Sequence, residues 1–146
     1  MFRGSSPAKI DEKGRLKIPA EFCRLLEERY GNEVFITSVS GESATLYPLP
    51  VWEEIEARLA KVPSSDRAKQ RYLERVNYFG QQLRLDPQGR VVIPQILRES
   101  AEMIGEVVVS GRLDSLEIWN RERFDRKLRE QPFSDDDFRS LSEHGI

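Results

Sequence analysis

The chain has 146 residues, 38% hydrophobic and 33% charged, with 23 Lys+Arg, 25 Asp+Glu and one histidine. That length holds one ordinary domain or two very small ones, and no apolar run approaches the roughly 18 residues of a membrane span. The opening MFRGSSPAK lacks the apolar core of a secretory signal, and the single cysteine, Cys23, precludes an intrachain disulfide and suits a reducing cytoplasm.

A short strand leads into DEKGRLKIP at 11–19. Gly14 is the residue suited to positive φ in a tight turn, and Asp11 can accept a backbone N–H there. Beyond the turn Leu16 and Ile18 point to one side of a strand, leaving Arg15 and Lys17 on the other. Pro19 opens an amphipathic helix whose apolar face is Phe22, Leu25 and Leu26 and whose stop is Gly31. Two β-prone runs follow, EVFITS at 33–38 and TLYP at 45–48, with a Gly/Ser turn between them. VWEEIEARL then reads as an amphipathic helix. VPSSDR at 62–67 interrupts it, and RAKQRYLERV resumes helical spacing through Ala68, Tyr72 and Val76.

At 86–94 the chain reads DPQGRVVIP, which repeats five of the nine earlier positions: Asp, Gly, Arg, Ile and Pro. With about 20 residue types, five chosen identities arise by chance about once in 20⁵ comparisons. The flanks repeat too. Pro94 opens a helix predicted to run through QILRESAEMIG to Gly105, with Leu97, Ala101 and Ile104 on its apolar face. EVVVSG at 106–111, LEIW at 116–119 and an RFDRKL helix follow, with Phe124 in the place of Trp52. The tail carries S-D-D-D at 134–137, a capping-box pattern, ahead of Phe138 and Leu141; it is either a short helix or a loosely held end. A unit of this size with short strands cannot bury enough surface alone, so the two copies should share one core. The predicted class is mainly β with helical extensions (α+β).

The charge is uneven. Residues 1–30 carry seven Lys/Arg against five Asp/Glu, and residues 61–98 carry eight against three, whereas the other segments are acidic. The basic excess therefore accompanies the two motif copies, which matters more to a polyanion than the overall −2. Around the first turn stand Lys9, Lys13, Arg15 and Lys17, with Arg3 upstream. The second copy keeps Arg90 but has Pro87-Gln88 and Val92 where the first has Glu12-Lys13 and Lys17. An arginine held on a turn suits guanine edges or phosphate. An Asp-Arg pair inside such a turn also closes a hairpin with no ligand at all, and the duplication does not separate these readings.

The opening MFRG at 1–4 and the paired D-x-x-G-R-x-x-I-P motifs at 11–19 and 86–94 resemble the MraZ family of bacterial transcriptional regulators, over roughly residues 1–142. The resemblance implies two SpoVT/AbrB-like repeats forming a swapped-hairpin pseudo-dimer barrel. These are repeat 1 at 5–47 with a helical extension at 50–75, and repeat 2 at 76–119 with an extension and tail at 121–146. It further implies a cytoplasmic, nucleoid-associated homo-oligomer, a ring, that binds direct repeats in promoter DNA ahead of division and cell-wall genes, as a repressor. The family's D-x-x-x-R signature falls on Asp11 and Arg15 and on Asp86 and Arg90. On this reading Arg15 and Arg90 are the principal DNA contacts, and Lys9, Lys13, Lys17 and Arg3 neutralise phosphate. Asp11, Asp86, Gly14 and Gly89 shape the turns.

Enzymatic readings find little support. His144 is third from the end of the chain, and Cys23 reads as a small core residue on the Pro19 helix. One His and one Cys cannot build a His/Cys zinc site or a Ser-His-Asp triad, and GEVVVSGR lacks the spacing and lysine of a phosphate loop. No cofactor, metal or small-molecule substrate is expected. Trp52, Trp119 and Tyr47 are expected to pack the core or a subunit contact. The alternative function is an AbrB-like interaction module, antitoxin-like or scaffolding, whose acidic 130–137 segment docks a basic surface.

Overall fold

The computed structural model covers residues 1–146. Eight strands form one antiparallel sheet: β1 (Ser5–Ile10), β2 (Arg15–Lys17), β3 (Glu33–Thr37), β4 (Ala44–Pro48), β5 (Gln81–Arg84), β6 (Arg90–Val92), β7 (Gly105–Arg112) and β8 (Ser115–Asn120). Six helices accompany them: α1 (Ala20–Arg29), α2 (Leu49–Ala60), α3 (Arg67–Tyr78), α4 (Gln95–Ser100), α5 (Arg121–Glu130) and α6 (Asp135–Ser142). The strand order is β5-β3-β4-β8-β7-β1-β2-β6. The end strands β5 and β6 are consecutive in the chain and lie together, so the sheet curls into a nearly closed barrel.

The order encodes a swap. The first strand of each repeat pairs with the third strand of the other: β1 with β7 (Ser5↔Ser110 to Ile10↔Gly105) and β5 with β3 (Gln81↔Ile36 to Arg84↔Glu33). The second strands pair with each other, Leu16↔Val91 at the centre, and so do the fourth strands, Thr45↔Glu117 at the centre. Each repeat thus lends strands to the other. This is the swapped-hairpin pseudo-dimer.

The core follows from strand alternation. Leu16, Ile18, Val34, Ile36 and Leu46 of one repeat and Val91, Ile93, Val107, Val109, Leu116 and Ile118 of the other are all buried in one cluster. Phe22 and Leu26 of α1 and Leu97 and Ala101 near α4 join it. Phe2 is 2% exposed, packs edge-on against Phe22 and stacks on Tyr30, so the N-terminus is fastened into the core. Trp52 stacks on Phe35 beside Tyr47, and Trp119 lies against Phe124, placing α2 and α5 over the β3–β4 and β7–β8 pairs.

Several local expectations need correction. α4 ends at Ser100, because Glu102 (φ 52) takes the left-handed position that Gly31 (φ 94) fills after α1. Met103 turns into the core, and Ile104, expected on the buried face, is 82% exposed. Ala68 is exposed; α3 buries Val76, and Thr37 Oγ donates to the Val76 carbonyl at 2.6 Å. Cys23 is half-buried at the edge of the core, against the second turn. The tail resolves to helix α6, closed by reciprocal Ser134–Asp137 bonds of 2.9 and 3.1 Å. No helix is long and apolar enough to cross a membrane.

Candidate nucleic-acid interface

The two motif turns have the same construction. Asp11 Oδ1 accepts from the Lys13 and Arg15 backbone N–H groups, both at 2.9 Å, and Oδ2 accepts from Arg15 Nε at 2.7 Å. Asp86 Oδ1 accepts from the Gln88 and Arg90 N–H groups at 2.9 Å, and Oδ2 accepts from Arg90 Nε at 2.8 Å. Gly14 (φ +80) and Gly89 (φ +74) close the turns by donating to the Asp11 and Asp86 carbonyls. Donation from the Arg15 backbone N–H, and from its guanidinium, holds the Asp11 carboxyl below the usual carboxylate range despite partial desolvation; Arg90 does the same for Asp86. Each arginine spends Nε on its own turn, and its Nη groups have no acceptor within the chain. The carboxylate fixes the side chain while leaving the fork free.

The turns are also locked to each other. Ile18 N–H donates to the Gly89 carbonyl and Ile93 N–H to the Gly14 carbonyl, both at 2.9 Å. The β2–β6 pairing then sets Arg15 opposite Val92 and Lys17 opposite Arg90. Since Leu16 and Val91 between them are buried, Arg15, Lys17, Arg90 and Val92 share the outer face of this ribbon. Lys17 is exposed, and Arg15 and Arg90 keep about a third of their side-chain surface, 34% and 30%. Two motifs far apart in the chain thus form one cationic surface.

The remaining cations are distributed unevenly. Lys13 is exposed on the first turn. Lys9 points outward from β1 opposite Glu106 of β7. Arg3 lies at the far end of β1 from the turn, beside Pro19, Ala20, Glu21 and Phe22 at the start of α1, and is not part of the ribbon. Against the turns lie two residues that no local pattern marks as neighbours of the motif. Arg98 of α4 covers Gly14, and Cys23 of α1 covers Gly89. Burial and the nearby Glu27 push the Cys23 thiol up, which removes thiolate character. No cluster of three or more His, Cys, Asp or Glu side chains is placed to hold a metal ion.

A swapped-hairpin barrel that presents two D-x-x-G-R turns on one outer ribbon defines the class to which the comparisons point. The family described as "MraZ protein, putative antitoxin-like" matches residues 1–75 and 80–143. The chain is 49% identical to the transcriptional regulator MraZ of Acidobacterium capsulatum over 146 residues, all of both chains. It is 46% identical to that of Koribacter versatilis, again over the whole of both chains. With the namesake from Herpetosiphon aurantiacus it shares 38% over 99% of this chain and 96% of the relative. The chain belongs to the MraZ family, whose curated relatives are named as transcriptional regulators and not as an enzyme class.

Proposed function

We propose that the protein is a sequence-specific, DNA-binding transcriptional repressor that reads duplex DNA with the β2–β6 ribbon. One observation carries the reading: Lys17 and Arg90 are paired directly across the strands on an outward face. Like charges in that position destabilise a sheet. Asp86 offsets part of the Arg90 charge, Lys17 has no ion-pair partner in the chain, and a phosphodiester backbone would offset the repulsion that remains. The free Nη groups of Arg15 and Arg90 suit phosphate or the O6 and N7 acceptors of guanine. Lys13 and Lys17 supply phosphate contacts on the first repeat, with Lys9 and Arg3 more peripheral. Gly14, Gly89, Asp11 and Asp86 act by shaping the turns, since a carboxylate facing DNA would be repelled. The two repeats we take as 5–47 and 76–119, with extensions at 50–75 and 121–146.

A single ribbon makes few contacts, so affinity is built by a homo-oligomer, a ring, engaging successive direct repeats in the promoter. The exposed Leu128, Phe133 and Phe138 on the α5–α6 segment support a contact between copies. The target, a division and cell-wall gene cluster, and the cytoplasmic, nucleoid-associated setting follow from the family resemblance. The relatives named as regulators support the regulatory role.

The deciding experiment titrates the native promoter duplex and a scrambled duplex of equal length over a salt series. Tighter binding to the promoter, with log K falling linearly against log salt, is the expected result. Equal affinity for both duplexes removes sequence-specific reading and leaves the interaction-module alternative.

A further inference from the structure

The pseudo-two-fold that relates the repeats also relates Cys23 to Arg98. Each lies four residues after the motif proline, and each donates its backbone N–H to that proline's carbonyl at 2.9 Å. Because the repeats are swapped, each side chain lies on the opposite repeat's turn. A Cβ placed on Gly14 would fall 2.5 Å from Arg98 Cζ, 2.6 Å from Nε and 2.7 Å from Nη1, so the guanidinium rests on the Gly14 Cα. A Cβ on Gly89 would instead fall 2.9 Å from Cys23 Sγ. The two turns share a backbone and differ in what the other repeat lays against them.

Arg98 is half-buried, and its Nε donates to the Ile93 carbonyl at 2.9 Å. Ile93 in turn donates to Gly14, so one hydrogen-bonded chain joins Arg98 to the first turn. The other guanidinium N–H groups have no acceptor in the chain, and no carboxylate lies within ion-pair distance of Arg98. Those N–H groups are half-covered yet open to solvent, since no unpaired side-chain nitrogen of the chain is buried. A guanidinium held at the turn with no carboxylate beside it is open to an anion from outside, and the planar fork suits a phosphate. At the second turn, the equivalent thiol approaches Glu27 Oε1 at 3.7 Å, which leaves no anion site there.

We propose that Arg98, supplied by the second repeat, is a DNA-phosphate contact of the first turn, making the half-site at Lys13 and Arg15 composite between the repeats. This rests on the DNA-binding reading above and adds to it a residue outside both motifs.

The test compares salt dependence of binding to promoter and scrambled duplexes for the wild type, Arg98→Ala, Arg98→Lys and Cys23→Ala. Thermal melts confirm that each variant is folded. Loss of one phosphate contact lowers the slope of log K against log salt by about 0.9. Arg98→Ala should show that drop and weaken both duplexes by the same factor, since phosphate contacts carry no sequence information. Arg98→Lys should keep the slope, and Cys23→Ala should leave it unchanged. Should Arg98→Ala not fold, Arg98→Gln replaces it, removing the charge at similar length. A wild-type slope in folded Arg98→Ala or Arg98→Gln overturns the proposal alone. So does an Arg98→Lys slope as low as that of alanine, which would make Arg98 a prop for the turn through its Nε bond. A wild type that binds both duplexes without salt dependence overturns the DNA reading and this proposal with it.

Discussion

Lys17 and Arg90 face each other across the β2–β6 ribbon, like charge against like charge, on the exposed side of a strand pair whose inner residues are Leu16 and Val91. The relationship decides how the two motif copies differ. Arg15 has Val92 opposite it and Lys13 on its own turn, while Arg90 has Lys17 opposite and Pro87-Gln88 on its turn.

Lys13 on the first turn, where the second has Gln88, should make the first repeat dominate binding even though Lys17 lies opposite Arg90. Arg15→Ala should weaken promoter binding by about 1–3 kcal/mol, and Arg90→Ala by less. Gel-shift titrations of the two variants at one salt concentration check the ranking. Equal losses would refute it.

Val92 is 45% exposed at the position equivalent to Lys17, where the second repeat has no cation. Val92→Lys would stand opposite Arg15 and restore the missing charge. The salt slope should steepen by about 0.9 if the new ammonium meets a phosphate. Meanwhile the melting temperature should fall slightly from the added cross-strand repulsion.

Glycine is required at both turns for conformation, and at both a Cβ would also meet a side chain of the other repeat. Gly14→Ala and Gly89→Ala should each cost roughly 1–2 kcal/mol from the left-handed backbone alone. Each methyl also meets a side chain of the other repeat, the Arg98 guanidinium at Gly14 and Cys23 Sγ at Gly89, and that contact should add to the cost. Adding Arg98→Ala should recover part of the Gly14→Ala loss and none of the Gly89→Ala loss. Denaturant melts of the two double variants measure this coupling, and additive losses in both would count against the packing.

Acid should loosen both turns together. Asp11 and Asp86 have folded-state pKa values lowered first by the Arg15 and Arg90 backbone N–H donors and then by their guanidiniums. A lowered pKa gives stabilisation that is complete above the unfolded carboxylate value of about 3.9 and is lost as pH falls through the folded values. Stability should therefore hold down to about pH 4 and decline below it. Asp11→Asn with Asp86→Asn should lower stability at neutral pH and flatten that acid limb; an unchanged limb in chemical melts would show that the turns do not contribute to it.

The N-terminus should be structural in its own right. Phe2 is buried against Phe22 and Tyr30, and its N–H donates to the Leu113 carbonyl at 2.6 Å. Phe2→Ala should cost about 3–5 kcal/mol in a calorimetric or denaturant melt, as a large aromatic removed from a core does. A loss under 1 kcal/mol would mean that the segment is only loosely fastened.

The sequence by itself determined the parts that depend on short-range physics. Gly14 and Gly89 mark positive φ, Pro19 and Pro94 open helices, Ser134 with Asp137 caps α6, and alternation separates Leu16 from Arg15 and Lys17. Repetition of those signals also implied one shared core, because neither unit is large enough to stand alone. Only the tertiary structure decided which strand meets which: β1 with β7, β5 with β3, and β2 with β6. That choice depends on closing a barrel around side chains from both repeats, and no local propensity encodes it. From it follow the pairing of Lys17 with Arg90, the separation of Arg3 from the ribbon, and the placing of Arg98 on Gly14. The early end of α4 was hidden for a related reason: burial of Met103 outweighed a helical pattern that ran on to Ile104. Local preference wrote the two turns, and burial of a common core brought them together.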